Sequence, residues 1–247
     1  MKTLIIGGTG ITDLDVLENQ KSETVRTPFG GAVIFTGTYR GLETGFLMRH
    51  GQYHENLAPQ VNYQANIWAT RELGFTRILG TSAIASLRSD IKVGDLVLLD
   101  QLVDLSHGRG STFFSGSVKM TEPFCSQMRA TILNTAAIED ISIHPKATYI
   151  CFNGPRYETA AEIRLFQNWG MDVIGMTNAT EATLCREAGL CYSTIALVTN
   201  MGAGLSQDGP DLQRHRQVTQ ENLPKLKQLT FASIQALTQQ ELCFCCS

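Results

Sequence analysis

Met1-Lys2-Thr3-Leu4-Ile5-Ile6-Gly7-Gly8-Thr9-Gly10 opens the chain. The run Thr3–Ile6 is short, apolar or β-branched throughout, and ends on a glycine turn. Such a run reads as a strand buried on both faces, the kind found in sheets covered by helices. The same pattern returns at Gly31–Thr36, Thr44–Met48, Arg77–Thr81, Leu96–Leu99, Tyr149–Phe152, Val173–Met176 and Thr194–Thr199. Helical patterns fill spaces between them at Val61–Leu73, Pro123–Ala137, Thr159–Trp169 and Glu181–Ala188, and a last one runs from about Asp211 to Gln240. Pro224 should kink or restart that last helix, with Asn222 capping the restart. Strand and helix alternate along all 247 residues without a repeat or a low-complexity linker. The expectation is one α/β domain over 1–247, with a mixed, largely parallel central sheet flanked by helices. Ligands of such sheets sit beyond the carboxyl ends of strands, which directs attention to the loops that follow each run.

Composition narrows the function classes. Hydrophobic residues make up 43% of the chain, enough for a sizeable core, and the net charge of −3 comes from mixed signs rather than blocks. No basic stripe suits nucleic acid, and no apolar run is long enough to span a bilayer. The first strand begins almost at once, so no signal peptide is expected. Seven cysteines are present. Cys125, Cys151, Cys185 and Cys191 stand singly in apolar or helical segments and read as buried thiols. Cys243-Phe244-Cys245-Cys246 is denser and reads either as a frayed tail of thiols or as a metal or redox cluster. Nothing requires an oxidising compartment, which places the protein in the cytoplasm.

The strand ends carry polar groups of a consistent kind. Gly7-Gly8-Thr9-Gly10 lets backbone N–H groups approach an anion and adds the Thr9 hydroxyl, or else forms a plain tight turn. It lacks the Gly-Lys-Ser/Thr of a Walker A loop, and Asp13 breaks the dinucleotide spacing, which argues against a Rossmann dehydrogenase. Arg49-His50-Gly51 offers a guanidinium suited to a bidentate grip on phosphate, with His50 as a further donor. The bland alternative is a surface arginine beside a structural histidine, and His54 reads equally as a structural contact. Gly80-Thr81-Ser82-Ala83 follows another apolar run and offers hydroxyls and amides at a strand end. Gly154-Pro155-Arg156-Tyr157-Glu158-Thr159 sets an aromatic ring beside a carboxylate just before a helix, although Glu158 or Thr159 also suits a helix start. Tyr157 can stack on a planar heterocycle. Gly175-Met176-Thr177 and Val198-Thr199-Asn200 close the set. Asn200 carries both a donor and an acceptor, so it can read a carbonyl and a ring nitrogen together.

Together, in this order, these segments resemble the trimeric purine nucleoside phosphorylase and methylthioadenosine phosphorylase family. Val61-Asn62-Tyr63-Gln64-Ala65-Asn66-Ile67-Trp68-Ala69, Ser86-Leu87-Arg88, Gly94-Asp95, Glu122-Pro123-Phe124 and Glu187-Ala188-Gly189-Leu190-Cys191-Tyr192 extend the likeness from about Leu4 to Leu237. The resemblance implies a nucleoside phosphorylase fold and a pentosyltransferase that uses inorganic phosphate as co-substrate, with no cofactor and no metal. Its partners would be a purine nucleoside and phosphate, with neither nucleic acid nor membrane, in a homotrimer or a dimer of trimers. Phosphate would lie among Thr9, Arg49, His50, Ser82, Ala83 and Thr177. Met176 would lie under the ribose and Tyr157 would stack near the base. The loop after Phe113-Phe114 is shorter than in the methylthioadenosine branch and lacks a histidine found there, and Ala85 replaces a frequent glycine.

Base identity turns on two residues. Where the methylthioadenosine branch has an acidic pair, this chain reads Thr199-Asn200-Met201-Gly202. With Glu158, that is similar to the purine nucleoside phosphorylases proper. Glu158 would accept from N1–H of a 6-oxopurine, and Asn200 would donate to O6 and bridge to N7, the two sharing the catalytic work on the leaving base. Adenine has no N1–H and would leave Glu158 unpaired. The expected substrates are inosine and guanosine in purine salvage. The alternative is S-methyl-5′-thioinosine, or methylthioadenosine, in methylthio-nucleoside salvage. His215 would decide between them by contacting a 5′-hydroxyl, unless it is simply a solvated member of Gln213-Arg214-His215-Arg216-Gln217. A non-catalytic nucleotide-sensing protein that kept the pocket is the reading from another class.

Overall fold

The computed structural model describes residues 2–8, 16–207, 209, 211–241 and 243. Thr9 and Gly10 of the first glycine loop, and Cys245 and Cys246 of the tail, lie outside these described residues. Eleven strands form one sheet. They are β1 (Thr3–Gly7), β2 (Glu18–Thr27), β3 (Gly30–Tyr39), β4 (Leu42–Met48), β5 (Arg77–Ser86), β6 (Leu96–Leu98), β7 (Gln101–Asp104), β8 (Ile143–His144), β9 (Thr148–Cys151), β10 (Val173–Gly175) and β11 (Cys191–Met201). Five α-helices accompany them: α1 (Tyr63–Glu72), α2 (Ser126–Ile138), α3 (Ala160–Asn168), α4 (Asn178–Glu187) and α5 (Leu212–Thr238). The architecture is the expected single α/β domain with a mixed, largely parallel sheet.

The centre of the sheet is β5 paired in parallel with β11 along its whole length. On the other edge of β5, β1 pairs in parallel with residues 77–80, and β10 pairs antiparallel with Ala85 and Ser86. Among the described residues, 81–84 therefore have no strand partner on that edge. Successive side chains of a strand point to opposite faces, and the core divides accordingly. Leu4, Ile6, Ile78, Ala196 and Val198 pack with α1 and α4 on one face. Ile5, Leu79, Ile195 and Leu197 pack with α2 and α5 on the other. Ile163 and Phe166 of α3 cover the β9–β10 end.

Three local expectations change. Gly80–Ala83 is not a strand end but the middle of β5, because β11 continues to pair beyond Thr81. β2 went unread because it is a polar edge strand, exposed over most of its length, with no apolar run to betray it. The last helix neither stops nor restarts at Pro224, so Asn222 caps nothing; its Nδ2 donates to the Val218 carbonyl at 2.9 Å inside an unbroken α5. Pro224 and Gln220 are both exposed, so water can meet the carbonyl that loses its N–H partner.

Candidate active site

Five backbone features converge on one cavity of about 330 Å³. They are the turn after β4, the unpartnered edge of β5, the loop before α3, the β10–α4 junction and the end of β11. Of the residues singled out from sequence, Arg49, His50, Ser82, Ala83, Tyr157, Glu158, Met176, Thr177, Asn200 and His215 all line it. Thr9 falls outside the described residues.

The turn Met48–Gly51 follows β4 and closes with Gly51 N–H donating to Met48 at 3.0 Å, Gly51 standing at φ +83°. A left-handed residue suits glycine, and the turn swings Arg49 inward, where it is only 2% exposed. Arg49 Nε and Nη2 donate to Glu181 at 2.5 and 2.8 Å, and Nη1 donates to the Thr81 carbonyl at 2.8 Å. Burial works against the guanidinium charge, but Glu181 more than offsets it and the group stays protonated. Glu181 also accepts from Tyr192 Oη at 2.6 Å, and Asn178 Nδ2 donates to that phenol at 3.0 Å. Burial, then Glu181, holds the Tyr192 phenol well above its usual range. Three of the five guanidinium donors are thus spent inside the protein, leaving one N–H on each Nη for a ligand. Gly8 is packed against this group so closely that a Cβ there would lie 2.4 Å from Arg49 Nη1.

His50 differs from the donor expected. Its Nδ1 lies 2.8 Å from the Asn56 carbonyl, which can only accept, so Nδ1 carries the proton. Burial, with Arg49 second, pushes its pKa down to about 4, so the ring is neutral near pH 7 and presents Nε2 as an acceptor. His54 stacks beside it with ring centroids 4.5 Å apart. Among the described residues, Ser82 Oγ is buried without a hydrogen-bond partner, and it lines the cavity. Thr177 is the N-cap of α4, its side chain makes no capping bond, and the residue is 6% exposed. The N-terminal end of α4 therefore faces this part of the cavity, where helix N–H groups favour negative charge.

Across the cavity, the loop before α3 is fixed from both sides. Thr159 and Glu162 form a capping box, Thr159 Oγ1 accepting at 3.2 Å and the Glu162 carboxylate accepting from Thr159 N–H at 2.7 Å. Arg156 grips the same Glu162 at 2.9 and 2.8 Å. Glu158 is left 8% exposed, with no ion pair among the described residues. Burial raises its pKa.

At the end of β11 the pairing slips between Val198 and Asn200, which makes Thr199 a bulge residue. Bulges re-aim side chains next to sites. Here Thr199 Oγ1 lies 3.2 Å from the Ile84 carbonyl, 3.0 Å from Asn200 Oδ1 and 3.0 Å from His215 Nδ1. The carbonyl and the amide oxygen only accept, so the single hydroxyl proton goes to one of them and His215 Nδ1 must donate. The neutral His215, its pKa lowered by burial, then offers Nε2 as an acceptor. Asn200 Nδ2 spends one N–H on the Met201 carbonyl at 3.0 Å and keeps one.

Sequence reading missed Thr199 as an orienting group, Glu181 as the clamp on Arg49, and Arg109. Arg109 donates from Nη1 to the Met176 carbonyl at 2.7 Å and from Nη2 to Asn153 at 2.7 and 3.0 Å, fixing the backbone of Met176. Nothing local in the sequence marks these partners, which lie 132 residues apart for Arg49 and Glu181. Among the described residues no helix is long and apolar enough to cross a membrane.

Residues 2–235 match the family described as the phosphorylase superfamily. The chain is 39% identical over 252 residues to a 6-oxopurine nucleoside phosphorylase of Pyrococcus furiosus, an alignment covering 98% of this chain and 95% of that protein. It is 39% identical over 251 residues to an S-methyl-5′-thioadenosine phosphorylase of Thermofilum pendens, covering 99% and 95%. Among solved structures, a methylthioadenosine phosphorylase from Schistosoma mansoni in complex with adenine superposes with a TM-score of 0.94 at 29% identity, covering 98% of this chain and 93% of that one.

Proposed function

The chain belongs to the phosphorylase superfamily, and we propose that within it the protein acts on 6-oxopurine nucleosides, converting nucleoside and phosphate to free base and pentose 1-phosphate. The observation that carries the base assignment is Glu158. It is a buried carboxylate with no ion pair among the described residues, lining a cavity, and such a group is costly unless a ligand donor meets it. N1–H of a 6-oxopurine is such a donor. Asn200, held through Oδ1 by Thr199, keeps an N–H for O6 or N7. The name of the Pyrococcus furiosus relative agrees with this reading.

Phosphate binds at the other side, on the two remaining Arg49 N–H groups, Ser82 Oγ, Thr177 and the N-terminal end of α4. Thr9 belongs to this group by sequence. His50 Nε2 accepts from the P–OH of hydrogenphosphate or from a ribose hydroxyl. The pocket then holds phosphate below C1′ while the glycosidic bond breaks, which replaces a bimolecular encounter by a positioned one. Negative charge arriving on the purine is met by the remaining Asn200 N–H at O6 or N7, Glu158 orients the base by accepting from N1–H, and the phosphate dianion stabilises the cationic sugar. Met176 lies against the ribose and Tyr157, half-exposed at the mouth, covers the base. His215 selects the 5′-hydroxyl, because a bare Nε2 needs a donor and a methylthio group has none.

We extend the proposal to a cytoplasmic homotrimer or dimer of trimers, supported by the large apolar side chains left exposed near the mouth, Leu57 (51%), Tyr157 (39%) and Leu212 (53%). Phosphorolysis rates on inosine, guanosine, adenosine, methylthioinosine and methylthioadenosine, with and without phosphate, test the reading. The expected order puts inosine and guanosine first, with no turnover lacking phosphate or arsenate. Turnover in phosphate-free buffer, or a preference for adenosine, overturns it, and a preference for methylthioinosine hands the 5′ assignment to the methylthio branch.

A further inference from the structure

Remote from the cavity, three cysteine sulfurs from three parts of the chain meet. Cys125 Sγ and Cys243 Sγ are 3.3 Å apart, Cys191 Sγ and Cys243 Sγ are 3.1 Å apart, and all three lie within 4.8 Å of one another. Among the described residues they are the one group of histidine, cysteine and carboxylate side chains placed to share a metal ion. The sequence showed only a cysteine-rich tail with no second cluster near it. The fold supplies that cluster from residues 118 and 52 positions away.

We propose that Cys125, Cys191 and Cys243 form a thiolate site for a soft tetrahedral dication of the zinc class, which staples the C-terminal tail to the body of the protein.

Rigidity is the first support. Cys191 begins β11, with its N–H bonded to the Thr76 carbonyl at 3.0 Å, and Cys125 N–H donates to the Tyr192 carbonyl at 2.7 Å. Two ligands are therefore fixed by backbone pairing and are 1% and 2% exposed. Charge is the second. Cys125 is the N-cap of α2 and its sulfur accepts from Met128 N–H at 3.4 Å, a position that stabilises a thiolate. Arg77 stands opposite Cys191 in the β5–β11 register and is 1% exposed. Its guanidinium donates to the carbonyls of Leu237, Gln240 and Glu241, holding the tail just before Cys243. A site of three thiolates around a dication carries net negative charge, and this buried cation and helix end are placed to offset it.

Geometry is the third. Zn–S bonds of about 2.3 Å in a tetrahedron set the S···S edge near 3.8 Å, so the two contacts to Cys243 need to lengthen by roughly 0.5–0.7 Å. A disulfide, at about 2.05 Å, would join two of the three and leave the third. A solvent molecule completes the tetrahedron around the three thiolates. On binding, each thiol releases its proton to solvent and the sulfur lone pair forms the metal bond, with no change of oxidation state.

The test uses the full chain purified under a non-chelating reductant. Elemental analysis should find about one zinc per chain, falling several-fold in Cys125→Ser and Cys243→Ser, and largely retained in Cys151→Ser. Cobalt(II) exchanged into wild type should give sulfur-to-cobalt charge-transfer absorption and intense tetrahedral d–d bands, a readout that needs no variant to fold. Chelation should lower the midpoint of thermal unfolding. Inosine phosphorolysis in Cys243→Ser should persist, because Cys191 and Asn200 lie nine residues, about 30 Å, apart along β11. Absence of a thiolate–cobalt band in fully reduced protein overturns the proposal. So does a chain mass lower by two hydrogens that reductant restores, which would show a disulfide instead.

Discussion

Replacing Arg49 separates two things that this side chain does. Three of its five N–H donors hold Glu181 and Thr81, and two are left for phosphate. Arg49→Ala therefore removes the ligand's donors and also strands a carboxylate that is 2% exposed. Breaking a buried ion pair from one side costs about 3–5 kcal/mol of stability. The single variant will thus lose activity for a reason unrelated to phosphate. Arg49→Met combined with Glu181→Gln avoids this. The glutamine carries no charge and keeps an oxygen for the Tyr192 hydroxyl now 2.6 Å from Glu181. The double variant should recover most of the lost stability while its phosphate site stays short of two charged donors. Those are worth about 3–4 kcal/mol in all, taking the lower part of the range for hydrogen bonds to charged groups because the α4 N-terminus remains. That corresponds to roughly a 140- to 700-fold rise in KM for phosphate. Thermal unfolding and initial rates of inosine phosphorolysis against phosphate concentration measure the two effects separately. A folded double variant with phosphate KM within about twofold of wild type refutes the assignment and makes Arg49 purely structural.

Asn200→Asp should move preference from 6-oxo toward 6-amino purines, since a carboxylate accepts from the exocyclic amine but cannot donate to O6; kcat/KM for inosine and adenosine reads this, and an unchanged ratio refutes it. His215→Val should narrow or reverse the preference for inosine over methylthioinosine by roughly 1–3 kcal/mol, the cost of leaving a buried polar nitrogen unpaired, and an unaltered ratio of kcat/KM values counts against the 5′ assignment. His50, His54 and His215 all have folded pKa values below the usual 6.5, with burial the leading cause. The unfolded chain then binds more protons below pH 6.5, so their contribution to stability is full above that pH and is lost as pH falls toward about 4. For His50 this amounts to at most about 3 kcal/mol, and a thermal midpoint whose acid-side slope is the same in His50→Gln as in wild type would contradict it.

What was legible in the sequence was whatever is chemically local. Buried strands announce themselves by continuous apolar runs, and Arg49-His50, Tyr157-Glu158 and Asn200 stand beside such runs, so their arrival in one cavity follows from the alternation of strand and helix. β2 could not be read, because an exposed edge strand such as Glu18–Thr27 owes its conformation to pairing with β3 rather than to any burial of its own. Ser82 reads as a strand-end residue because the length of β5 is set by pairing with the distant β11. The unpaired edge at residues 81–84 belongs to no single strand; it exists because β1 stops and β10 begins elsewhere.

The two buried carboxylates of this region show why residue types alone leave the chemistry open. Glu181 and Glu158 are 2% and 8% exposed, and from sequence either could meet a purine. Glu181 is saturated: Arg49 takes both oxygens and Tyr192 shares one of them. Its work is to aim a guanidinium. Glu158 has no such partner because the neighbouring cation, Arg156, is drawn away to Glu162 by the same capping arrangement that starts α3. That diversion leaves one carboxylate lining the cavity with no ion pair among the described residues. The same distinction sorts the histidines, for Asn56 and Thr199 consume one nitrogen each and leave His50 and His215 as acceptors. A pocket whose acceptors are Glu158, His50 and His215 asks its ligand for donors at the base, at the phosphate or sugar and at the 5′ position. A 6-oxopurine ribonucleoside with hydrogenphosphate supplies a donor to each, whereas methylthioadenosine supplies none at N1 and none at the 5′ group.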